Sequence, residues 1–289
     1  MFAKLLKYDM KAVWRLGWIS AVIVPIAAVI AAFSSRYYKT AVANNSEDLF
    51  DVLSSLISGL LIFACFAAIF LSFVLTAILV FVRFFKNFFT DEGYLTFTLP
   101  VTRAKLLFSK TLSAFIWFTA HFLLILISLA VFFLLNTAPE ADDVLINPQF
   151  YENASLAFEF YFSNTGGWSI AIVAEIFFLI LFILFMSVTL IQLSITIGSV
   201  IAKKAKIIVS IGIYYLINTI MTLFWQAIYM MFALCTASSS FDNVMIGTAN
   251  ELGAVVTIVL LIVLAICAAF TSLFYCCTQN LLERRLNLA

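Results

Sequence analysis

Apolar and polar positions in this chain fall into long blocks. Six apolar runs, at 16–33, 56–82, 112–135, 170–197, 207–235 and 252–277, are nearly free of charge. A hydrocarbon core about 30 Å thick is crossed by about 20 helical residues, and every run is near or above that length. The pattern predicts an all-α integral membrane protein with six transmembrane helices in a single domain over 1–289. Two shorter elements accompany them: an amphipathic interfacial helix over 1–15 and a cytoplasmic loop over 83–110 that carries a short projecting segment.

Charge orients these elements. The chain is 65% hydrophobic and 11% charged, less than half the roughly 25% charged residues of a soluble domain. Its net charge of +1 hides an uneven distribution. Basic residues cluster at Lys4, Lys7, Lys11 and Arg15, at Arg83, Lys86, Arg103, Lys105 and Lys110, at Lys203, Lys204 and Lys206, and at Arg284 and Arg285. The intervening loops are mostly acidic, with Glu47, Asp48 and Asp51, then Glu140, Asp142, Asp143, Glu152 and Glu159, then Asp242 and Glu251. Only Arg36 and Lys39 break the alternation, so 14 of 16 basic residues share one side. The positive-inside rule makes that side cytoplasmic and puts both termini there.

At 100° per residue Lys4, Lys7, Lys11 and Arg15 fall within about a quarter-turn, opposite Phe2, Leu5, Leu6, Met10 and Val13. Such a helix suits the headgroup layer, either as a plain anchor or as a partner contact. Asp9 on the apolar arc is an irregularity suited to pairing with a neighbouring element. The first run, about 18 residues, exceeds a signal-peptide core of about 7–15 and is expected to be retained. Pro25 within it removes a backbone hydrogen bond and predicts a kink. In the 83–110 loop, Asp91-Glu92-Gly93 marks a turn in which glycine is free to take positive φ. Pro100 ends a short amphipathic segment, and Thr102 is placed to cap a helix starting near Arg103. Tyr94, Leu95 and Phe97 are costly in water and suited to packing on another protein.

Candidate chemistry is sparse. No Walker phosphate loop, HExxH or GxSxG motif occurs, and one histidine in 289 residues leaves little for a triad or metal centre. The five cysteines lie in or at the ends of spans and read as small apolar packing residues. Within the spans, Glu175 is the one full charge; it either reaches water from near the outer end or lines a substrate path. His121 reads as a neutral, hydrogen-bonded histidine or as a path residue, and Gln192, Asn218 and Gln226 as interhelical hydrogen-bonding groups. This scarcity disfavours an ion-coupled carrier, which needs buried ionisable groups or broken helices.

The stretch from Asp91 to Arg103, DEGYLTFTLPVTR, followed by KLLFSK at Lys105 to Lys110, resembles the first cytoplasmic loop of permease subunits of bacterial type-2 ABC exporters. The opening LLKYDMK, Leu5 to Lys11, is similar to the start of such permeases in Gram-positive bacteria. The resemblance implies a permease in the cell membrane that pairs with two copies of a separate cytosolic ATPase and with a second permease copy, forming a homodimer. It makes Asp91, Glu92, Tyr94, Leu95 and Phe97 a coupling helix seated in the ATPase, with Lys203, Lys204 and Lys206 a second contact. Lys4, Lys7, Lys11 and Arg15 would belong to the interfacial helix, and Glu175, His121, Asn218 and Gln226 would be candidates for the substrate path. It implies no cofactor on this chain, ATP and Mg on the partner, no metal site, no nucleic acid, and export of amphipathic or antimicrobial peptides. The rival expectation is a self-sufficient channel, scramblase or secondary carrier.

Overall fold

The structure is a computed structural model that describes residues 2–43, 49–90, 93, 98, 101–137, 148–202, 204–236 and 249–284. Among the described residues seven α-helices follow in order: α1 (Phe2–Ala43), α2 (Leu49–Phe89), α3 (Arg103–Thr137), α4 (Pro148–Thr165), α5 (Ser169–Ile201), α6 (Lys206–Thr236) and α7 (Ala249–Arg284), with a 3₁₀ turn at Gly166–Trp168 before α5. No strand occurs among the described residues. Six helices are long and apolar enough to cross a membrane, at Gly17–Tyr38, Val52–Phe89, Arg103–Leu135, Ser169–Ile201, Lys206–Met231 and Gly253–Glu283. The six expected runs fall within α1, α2, α3, α5, α6 and α7, and the chain is a multi-pass membrane protein.

The helices outrun the apolar runs. α1 has 42 residues, about 63 Å at 1.5 Å per residue, twice a hydrocarbon core. The basic stretch 1–15 and the first span, expected as separate elements, are one uninterrupted helix that continues through Pro25. Its exposure still follows the sequence periodicity: Lys4, Lys7, Lys11 and Arg15 are exposed, Leu5, Leu6 and Met10 half-buried, and Val13 buried. Asp9 is buried too, and engaged rather than free.

The chain forms two compact units, Met1–Val82 with Ile116–Ser155, and Arg83–Phe115 with Leu156–Ala289. In the first, α1 presents Val24, Ala27, Ala28, Ala31 and Ala32 to Cys65 and Ile69 of α2 and Phe132 of α3. Small residues suit this contact, because helices in lipid associate through close packing and not through loss of water. Phe66 meets Phe132 edge-on at 5.3 Å, and Phe73 meets Phe118 at 5.7 Å. Arg36, one of the two basic residues off the charge pattern, donates through Nε to the Leu135 carbonyl in the last turn of α3. A cation at a helix C-terminus satisfies orphan carbonyls and opposes the helix dipole.

In the second unit α5 is the central helix and packs on both α6 and α7. Nine consecutive residues, Val188 to Thr196, are buried on every face. Leu190 and Leu193 join Met221 of α6 and Phe274 of α7 in a core. At the α5–α6 turn, a β-carbon on Gly198 would lie 2.6 Å from Ser210 Cα, so glycine allows a backbone-close crossing. At the other end of α7, a β-carbon on Gly253 would press on the Thr165 carbonyl and on Trp168. The α4–α5 turn there is held by Tyr161 Oη donating to the Ser169 carbonyl at 2.9 Å and by the Thr165–Ser169 hydroxyl pair at 2.6 Å.

Candidate functional site

The stem of the 83–110 loop is built on the second unit. α3 starts at Arg103 as expected, with the Leu106 N–H donating to the Thr102 carbonyl at 3.1 Å, which makes Thr102 the N-cap. Arg103 then donates to the Leu282 and Glu283 carbonyls at 3.0 and 3.1 Å. It caps the last turn of α7 as Arg36 caps α3. Two turns further along, Thr111 donates to Gln192 Oε1 of α5 at 2.8 Å, and both are buried. Phe115 meets Phe185 of α5 edge-on at 5.1 Å. Three contacts therefore tie the start of α3 to α5 and α7.

At the other stem, the Gly93 N–H donates to the Thr90 carbonyl at 2.7 Å. Its φ is outside the left-handed region, so the expected reason for a glycine here is corrected: a β-carbon would sit 2.8 Å from the Phe88 carbonyl oxygen, and glycine supplies room. The coupling candidates Asp91, Glu92, Tyr94, Leu95 and Phe97, and Lys203 of the second contact, lie outside the described residues. Of the other two, Lys204 is exposed and Lys206 opens α6 half-buried.

Of the four path candidates, His121 belongs to the first unit and Glu175, Asn218 and Gln226 to the second. His121 is buried in the first unit, with Nε2 at 3.3 Å from Ser72 Oγ. Glu175 stands two turns into α5, half-buried, with one carboxylate oxygen enclosed and lacking a hydrogen-bond partner. Thr257 Oγ1 of α7 is likewise enclosed and unpartnered, one turn from Gly253. Measured along the helices from the Gly198–Ser210 crossing, Glu175 is about 35 Å away on α5 and Asn218 only about 12 Å on α6.

α6 carries what the sequence reading saw only in part. Asn218 and Gln226 are exposed, and so are Tyr215, Thr219, Thr222 and Tyr229. At 100° per residue all six fall within an arc of about 100°. Met221, on the side facing α5, is buried. A polar face of this kind on a membrane span is costly against lipid and suits a protein partner or a wet path. The signal was present in the sequence at i, i+4 spacing, but the flanking apolar residues masked it.

Comparison with protein-family models, with curated proteins and with solved structures gives no match for this chain.

Proposed function

We propose that this chain is the membrane-spanning permease subunit of a two-component transporter, driven through its 83–110 loop by a separate cytosolic ATPase. The reading rests first on the Asp91–Lys110 sequence and its resemblance to exporter permeases. What supports it in the structure is the stem: Arg103 and Thr111 link the foot of that loop directly to α7 and α5. A push on the loop would move three spans together, which a loop serving only as a connection does not need.

In this mechanism ATP-driven closure of the partner displaces the 91–100 segment, α3 carries the displacement to α5 and α7, and the spans exchange inward-open for occluded or outward-open states. The polar face of α6 meets a second copy of the chain, and the path runs between the copies, lined by α2 and α6. The cargo is an amphipathic or antimicrobial peptide moved outward, with both termini of the chain in the cytoplasm of a bacterial cell membrane. The chain itself is not catalytic; ATP and Mg bind the partner.

Affinity purification from detergent tests the reading. An ATPase of separate sequence is expected to remain bound, and Leu95→Asp combined with Phe97→Asp is expected to release it while the six-span chain still folds. Full retention in the double variant removes the loop as the coupling element. Uphill transport without any ATPase favours the self-sufficient carrier.

A further inference from the structure

We propose that α1, α2 and α3 enclose a single-water site whose two poles are the Trp117 indole N–H and the Nδ1 lone pair of His121. The polar side chains of this region run in series across three helices. A β-carbon on Gly17 would overlap the Trp117 ring and lie 3.0 Å from its Nε1, so the indole edge rests on the α1 backbone. Ser20 Oγ donates to the Gly17 carbonyl at 2.8 Å and lies 3.4 Å from Thr76 Oγ1. Thr76 Oγ1 donates to the Ser72 carbonyl at 3.0 Å. Ser72 Oγ stands 3.3 Å from His121 Nε2. His121 and Trp117 are one helical turn apart on α3, at a spacing that puts them on the same face.

Counting hydrogens fixes the chemistry. Ser72 has one hydroxyl hydrogen, given to the Ile69 carbonyl at 2.7 Å. The contact with His121 therefore has Nε2–H donating to Ser72 Oγ, which leaves Nδ1 a bare acceptor in the neutral ring. Nδ1 is enclosed and unpartnered, and so is Trp117 Nε1, on residues 2% and 5% exposed. One atom lacks a donor and the other lacks an acceptor. A water accepting from Nε1–H and donating to Nδ1 satisfies both. Its second hydrogen has acceptors in Ser20 Oγ and Thr76 Oγ1, whose own hydrogens are committed. Three hydrogen bonds are the usual complement of a buried water. No group of three His, Cys, Asp or Glu side chains gathers among the described residues, so the donor set is not that of a metal.

The site makes His121 a neutral acceptor within the bilayer. No titratable residue lies between Arg15 and Arg36 on α1, between Cys65 and Arg83 on α2, or elsewhere between Lys110 and Thr137 on α3. The water joins three helices through polar links that lipid cannot replace.

One histidine gives one pair of imidazole nitrogen signals, so the test uses the whole chain in lipid nanodiscs with ¹⁵N-labelled histidine. The expected spectrum has Nε2 protonated, Nδ1 unprotonated, and a water cross-peak on the Trp117 indole proton. The five indoles are assigned by elimination from Trp14→Phe, Trp18→Phe, Trp168→Phe and Trp225→Phe chains. Trp117→Phe is expected to shift Nδ1, whereas Trp18→Phe, at an exposed position, leaves it unmoved. A protonated Nδ1, or a Trp117 indole with no water cross-peak, overturns the proposal. Both are read in the unsubstituted chain, so the test survives if Trp117→Phe does not fold.

Discussion

At the scale of single residues, two glycines of similar surroundings in sequence have opposite roles. A β-carbon at Gly198 would collide with the Ser210 backbone, whereas one at Gly212 would meet open space. Gly198→Ala is expected to force α5 and α6 apart and to destabilise the chain by about 1–3 kcal/mol, the usual range for overpacking. Gly212→Ala is expected to be neutral or slightly stabilising, because alanine is the better helix former. Thermal unfolding in detergent separates the two. Arg103→Ala should cost less, about 0.3–1 kcal/mol for a lost charge at a helix end, and faster hydrogen exchange at the last turn of α7 would register it. These roles were hidden in the sequence. Nothing in the sequence pairs Gly198, Arg36 and Arg103 with Ser210, Leu135 and Leu282, because those partners are fixed by how helices cross. That His121 has a polar neighbour was expected from the sequence; that the neighbour is Ser72, 49 positions away, was not legible.

At the scale of elements, the six spans were readable because length and hydropathy alone decide them. Boundaries were less so: α1 absorbs the basic stretch, since neither Arg15 nor Gly17 stops a helix that packing continues. α4 was missed as a helix, because its acidic and aromatic residues carry no clean period and the stretch read only as an acidic loop. The polar face of α6 leads to a direct expectation. In a background without native cysteines, Asn218→Cys or Gln226→Cys should crosslink two copies in the membrane, while Ile262→Cys, at an exposed apolar position of α7, should not. Dimer bands on a denaturing gel check it, and equal crosslinking at all three positions counts against a dedicated face. For α1, reversing the charge of Lys7 and Lys11 should lower coupled ATPase activity without dissolving the bundle, since both side chains are exposed. Unchanged coupling in a folded variant removes the basic face from the mechanism.

At the scale of the whole molecule, hydropathy alone made the membrane-spanning class legible, charge bias gave an expected orientation, and one short loop gave a functional reading. The structure adds the connections by which such a loop could act: its α3 stem is fastened to α5 and α7, the helices that form the core of the second unit. It leaves polar material on α6 facing outward. Both features suit a subunit that receives work from one partner and shares a path with another. Reconstitution into liposomes tests this most directly, by following an amphipathic fluorescent peptide with and without the co-purifying ATPase. The account predicts accumulation against the gradient only when the ATPase and ATP are both present. Uphill movement by this chain alone would contradict it.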